Sequence, residues 1–140
     1  MNLFLDTSAF AKRYIAEAGS DKVIALCGAA EQIVVSVICL PELISTLSRL
    51  VREKRLSKAD YRKLKSLATA DLAGAKVCPL DSGVLVATTS LLEAHPIRAM
   101  DALHVACALA VSADKFASAD QRQLVAAKKS GLAVLDVSGR

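Results

Sequence analysis

The chain has 140 residues, enough for one domain at the usual ~150 residues each, and 54% of them are apolar, which excludes a disordered chain. Its longest apolar runs are broken by charges well short of the ~20 residues that a membrane-spanning helix needs, so no membrane association is expected. The net charge of +4 is modest, but eight of the 18 basic residues crowd between Arg49 and Lys65, either to attract phosphates or simply as a solvated helix face.

The opening NLFLD reads as a buried strand ending in an acid. TSAFAKRYIAEAGS then carries apolar residues at helical spacing up to Gly19, with Thr7 or Ser8 as the cap. A second helix over about 21–30 leads to QIVVSVI, a β-branched second strand. From Cys39 to about Lys54, Leu40, Leu43, Ile44, Leu47, Leu50 and Val51 form one apolar stripe, so the spacing predicts a helix with Pro41 in its first turn. Ser57 caps the next helix, 58–73, and the two make an αα-hairpin. AKVCPL is a third strand, and DSGVLVATTSLLEAH a helix stopped by Pro96. IRAMDALHVACALAVSA is a deeply buried helix, DKFASAD a strand ending in an acid, QRQLVAAKKSG the last helix and LAVLDV the final strand.

Apolar strands alternating with helices predict a single α/β domain over 1–140, with a mostly parallel central sheet covered on both faces in three layers. The four cysteines (Cys27, Cys39, Cys78 and Cys107) form no C-x-x-C pair and sit among apolar neighbours, as buried reduced thiols do. With no signal peptide ahead of the first strand, a reducing cytoplasm is the expected compartment.

Ligands of parallel sheets bind just beyond the carboxyl ends of the strands. Asp6 and Asp120 end strands there, Glu42 falls in the first turn after the second strand, and Asp101 opens the alanine-rich helix, whose positive end favours an anion. Each acid also has an ordinary explanation as a helix cap or dipole partner. Converging on one edge, however, four carboxylates repel one another: two unit charges ~4 Å apart cost about 4 kcal/mol at an effective dielectric of 20. A cation between them resolves this, and oxygen-only ligands suit Mg²⁺ or Mn²⁺.

LDTSAFAKRY, the PEL acid, RAMDALHVACAL and FASADQRQLVAAKKSGLAV resemble the successive acidic motifs of PIN-domain nucleases, above all the VapC-type toxin ribonucleases of toxin–antitoxin pairs. The resemblance runs from Leu3 to about Val134 and implies a PIN-like fold. It assigns the catalytic acids to Asp6, Glu42, Asp101 and Asp120. Ser118 stands where the family usually has Thr, and Ser8 is the small hydroxyl residue beside the first acid. The implied activity is metal-assisted hydrolysis of RNA, with Asp6 and Asp101 as direct ligands and Asp120 and Glu42 completing the shell. It also implies an antitoxin that pushes a basic side chain into the acid pocket, and a homodimer, with the apolar 39–73 helix pair forming either the antitoxin groove or the dimer surface.

Lys12, Arg13 and Arg98 lie near enough in sequence to meet an entering phosphate, or are exposed helix residues. His104 follows Asp101 at i+3 and is expected to pack between helices with one satisfied nitrogen; His95 reads as a helix-end residue. Two other functions compete with the enzyme. One is a catalytically silent RNA-binding module of the same fold. The other is a receiver-like phosphoacceptor domain, which needs adjacent acids at its first strand and a lysine at its last; NLFLD has one acid and LAVLDV no lysine.

Overall fold

Strand β1 (Asn2–Leu5) lies at the centre of the sheet, and its period of two sends Phe4 to one face and Leu3 and Leu5 to the other, all fully buried. Around it the computed structural model, which describes residues 1–139, places α1 (Thr7–Ala11), α2 (Ser20–Ala29), β2 (Gln32–Ser36), α3 (Cys39–Arg52) and α4 (Lys58–Ala73). There follow β3 (Lys76–Cys78), α5 (Ser82–Ala94), α6 (Ala99–Ala110), β4 (Lys115–Ser118), α7 (Gln121–Lys129) and β5 (Val134–Asp136). Every neighbouring pair of strands is parallel, in the order β3-β2-β1-β4-β5. The sheet expected to be mostly parallel is thus wholly so, because each connection carries at least one helix and no hairpin returns the chain.

Alternation in the strands produces two cores. Leu3, Leu5, Val35 and Ala117 pack with Phe10 of α1, Val23 of α2, Leu43 and Leu47 of α3 and Ala68 of α4. Phe4, Val34 and Phe116 pack on the other face with Val84 and Leu91 of α5, Val105 and Ala106 of α6 and Leu124 of α7. Three layers result: α1–α4, sheet, α5–α7. From β1 the chain winds outward through β2 to β3, then α5 and α6 return it to β4, on the far side of β1. The winding direction reverses between β1 and β4, and a parallel sheet opens to ligands at the carboxyl ends of such a pair.

Four local expectations are corrected. The helix expected from Thr7 to Gly19 ends at Ala11, because Lys12, Arg13 and Tyr14 bond back three residues and the chain tightens into turns. Its cap is Asp6, which lies just past β1 and accepts the Ala9 N–H, rather than Thr7 or Ser8. Gly19 precedes α2 instead of closing a helix, at φ +89°. In addition, QIVVSVI is extended only as far as Ser36, after which the Val37 N–H turns to the Cys78 carbonyl.

The hairpin of α3 and α4 forms as expected, with Ser57 accepting the Asp60 N–H, and all eight of its basic residues are exposed. All four cysteines are free; Cys39, Cys78 and Cys107 are buried and Cys27 half-buried. Among the described residues no helix is long and apolar enough to cross a membrane.

A Cβ at Gly19 would overlap the Val137 carbonyl oxygen, and the left-handed backbone there disfavours any L side chain. Gly19→Ala is therefore expected to lower unfolding stability by about 2 kcal/mol or more, read as a fall in the urea midpoint. An unchanged midpoint would show that α2 is not anchored in this way.

Candidate functional site

Asp6 stands between the carboxyl ends of β1 and β4, at the point where the winding reverses. Its N–H donates to Ala117 of β4 at 3.2 Å, and its carboxylate caps α1 by accepting the Ala9 N–H at 2.8 Å. Ser8 Oγ lies 2.8 Å from both carboxylate oxygens, and Ser118 Oγ, at the end of β4, lies 2.8 Å from Oδ2. The Ala119 N–H closes the ring on Ser8 Oγ at 3.0 Å. A carboxylate only 3% exposed is thus surrounded by donors. Burial nevertheless pushes its pKa up, against the opposing pull of His104, the Ala9 N–H and the two serine hydroxyls.

The other three acids reach the same place from three further segments. Glu42 projects from the first turn of α3, Asp101 from the first turn of α6, and Asp120 caps α7 through the Gln123 N–H at 3.1 Å. All four line one cleft of about 650 Å³. Glu42 Oε1 receives Thr7 Oγ1 at 2.6 Å and meets His104 Nε2 at 2.5 Å. Burial pushes the Glu42 pKa up, but these two bonds outweigh it and hold the carboxyl below its usual range. An ionised Glu42 requires the ring proton on Nε2, and Nδ1 is buried without a partner. Asp101 is shifted the other way: burial and then the charge of Asp120 raise its pKa, with Arg98 opposing. Asp120 and Glu42 are therefore close enough to Asp101 for their charges to oppose its own.

The flanking residues divide. Arg98, read either as a phosphate contact or as an exposed residue, is exposed on the cleft rim, its guanidinium 3.7 Å from Asp101. Lys12 is neither at a phosphate position nor exposed: it is 6% exposed and folds back onto Glu17 and the Ala18 carbonyl. Arg13 points away, to Asp71 at 3.4 Å, with its guanidinium over the rings of Phe10 and Tyr14. His104 packs between α6 and the sheet with one satisfied nitrogen, and its partner is one of the four acids. His95 caps the end of α5.

Four residues take their place at the site only in three dimensions: Thr7, which fixes Glu42; Gln123, buried beneath Ser118; Arg49, on the cleft wall; and Arg122, in an adjoining cleft that shares Arg98, Asp101 and Asp120 with the first. In the sequence Thr7 stood only as a cap candidate and Arg49 only as one of the basic cluster, while Gln123 left a trace as a polar residue on the apolar side of QRQLVAAKK. Among the described residues, no group of three or more His, Cys, Asp or Glu side chains is already arranged to hold a metal ion.

A wholly parallel α/β/α sandwich with acids gathered at the reversal between β1 and β4 defines the class. The chain belongs to the PIN domain family, whose model matches residues 3–129. Among solved structures it is similar to FitAcB from Neisseria gonorrhoeae, at 20% identity and TM-score 0.75 over 99% of each chain. It is also similar to VapC20 of Mycobacterium tuberculosis, a sarcin–ricin-loop-cleaving toxin, at 16% identity and TM-score 0.70 over 93% of this chain and 95% of that one. A third likeness is to a toxin–antitoxin complex from Klebsiella pneumoniae, at 12% identity and TM-score 0.67, covering 96% and 97%. No curated protein matches the chain.

Asp6→Asn keeps the cap oxygen and removes a buried charge. Measured without divalent ions at pH 7, this variant is expected to be more stable than the wild type, read as a rise in the urea midpoint. Both carry a neutral group at acid pH, so the gain vanishes below the ordinary aspartate range. It develops as pH rises through the unfolded-state value and is complete above the raised folded-state one. A less stable Asp6→Asn at neutral pH would contradict the raised pKa.

Proposed function

We propose that this chain is a Mg²⁺- or Mn²⁺-dependent endoribonuclease, the toxin of a toxin–antitoxin pair acting in the cytoplasm. The observation that carries the reading is the convergence of Asp6, Glu42, Asp101 and Asp120 from four separate segments on one cleft, where burial and then the charge of Asp120 raise the Asp101 pKa. An all-oxygen donor set with an uncompensated repulsion fits a hard divalent ion. Asp6 and Asp101 would hold it directly, with Asp120 and Glu42 completing the shell. Because these residues are not yet in ligand geometry, the half-buried Glu42, Asp101 and Asp120 would rotate onto it, while Asp6 stays fixed by its donors.

Bound there, the ion would supply positive charge against the phosphoryl oxygens and acidify a water. The chain's own groups do the rest. Ser8 and Ser118 orient Asp6, Thr7 and His104 keep Glu42 ionised and aimed, and Arg98 and Arg49 face an incoming phosphodiester across the acids. Arg122 extends this path along the adjoining cleft, so the RNA would cross the acid centre between cations. Likeness to a toxin–antitoxin complex supports an antitoxin partner, whose basic side chain would neutralise the acids in place of the ion. A homodimer through the hairpin of α3 and α4 would set two of these clefts side by side.

Total RNA incubated with Mg²⁺ or Mn²⁺ is expected to be cut, and not in EDTA. Loss of a partner outside the metal shell costs roughly 10–100-fold, so Asp101→Asn is expected to lower cleavage by at least about 100-fold. Full activity in this variant, or in EDTA, would contradict the reading. Arg98→Ala with Arg122→Ala is expected to raise KM for RNA and leave kcat nearly unchanged. The same double variant should flatten the salt dependence by about one unit of slope for each arginine that meets a phosphate. An unaltered KM and salt slope would remove both arginines from the substrate path.

A further inference from the structure

Gln123 is fully buried on α7, where a carboxamide is tolerated only if its polar atoms are bonded. Its Nε2 donates to the backbone carbonyl of Asp101 at 3.0 Å, and its Oε1 lies 2.8 Å from Ser118 Oγ. Its own N–H donates to Asp120 Oδ1, and Ser118 Oγ, 2.8 Å from Asp6 Oδ2, also accepts the Asp120 N–H at 2.9 Å. One residue thus links three of the four acids: Asp6 through Ser118, Asp101 through its main chain and Asp120 through its cap.

The amide has one admissible orientation. The Asp101 carbonyl can only accept, so it must face Nε2, which leaves Oε1 to Ser118. The Ser118 hydroxyl has a single proton and two acceptors within reach. An ionised carboxylate is the stronger acceptor and takes it while Asp6 is free. When a cation occupies the lone pairs of Asp6 Oδ2, with Asp6 still held in place by Ser8 and the Ala9 N–H, the same proton passes to Gln123 Oε1 by rotation about one bond, and no buried hydroxyl is left unsatisfied.

We infer that Gln123 is a positioning residue for cation binding: it holds the first turn of α6 against the end of β4 and gives Ser118 a second acceptor when Asp6 engages the ion. This inference rests on the metal-site reading above. It is tested by calorimetric titration of Mn²⁺ into the wild type, Gln123→Met (the same volume without polar ends) and Gln123→Asn (polar but one methylene too short). Mn²⁺ affinity is expected to fall about tenfold in each variant, with kcat for RNA falling in step and KM within twofold. Unchanged Mn²⁺ affinity in a variant with an intact unfolding transition would overturn the inference. So would failure of both variants to fold, which would make the residue a packing element. A wild type that binds no Mn²⁺ would instead sink the metal-site reading, a result separable from the first because it appears without any substitution.

Discussion

Everything at the carboxyl edge of this sheet depends on one buried charge. Asp6 lies where β1 and β4 part, and its carboxylate is bonded at once to the backbone of α1, to Ser8 and to Ser118 of β4. The bonds that hold the two strands together at this edge therefore also set the position of the carboxylate. Donors this numerous ordinarily favour ionisation, yet burial outweighs them and raises the pKa. A fold that keeps an acid in such a place accepts a stability cost there, and a cation would remove it. Under the proposed reading the cluster is a cation site as well as a set of caps, since Asp6 and Asp120 cap α1 and α7.

The four acids are not equivalent. Asp6 is rigid and interior, while Glu42, Asp101 and Asp120 are half-buried on the walls of the cleft. Glu42 is held ionised by Thr7 and His104, whereas Asp101 is pushed towards neutrality by burial and by Asp120. A fixed anchor with three movable partners, one of them already charged, can close on an ion without disturbing the sheet. The two hydrophobic cores on either face make this possible, because Phe4 stacks on Phe116 directly behind the site and keeps β1 and β4 in register.

Most of the fold was legible because its signals are local. Short runs of apolar and small residues ending in an acid marked β1 and β4, the leucine stripe marked α3, and Ser57 marked the start of α4. The four acids were legible for the same reason, each standing at the end of a strand or the start of a helix. What failed was whatever depended on interactions between distant residues. The run after Thr7 has helical spacing throughout, but Lys12 folds onto the Ala18 carbonyl and Gly19 is pinned against Val137, so the helix stops after one turn and a half. Arg13 sits near Asp6 in sequence but is drawn to Asp71 on α4. The pairing of Thr7 and His104 on Glu42, and of Gln123 on Ser118, joins residues whose proximity no spacing encodes.

The central claim is that acids from four segments share one divalent-cation site, and the most direct measurement is anomalous diffraction from crystals soaked in Mn²⁺. One or two strong peaks are expected within coordination distance of Asp6 and Asp101, with Glu42 or Asp120 turned towards them. A fully soaked crystal with no peak in this cleft, or with Mn²⁺ bound only at other surfaces, would contradict it.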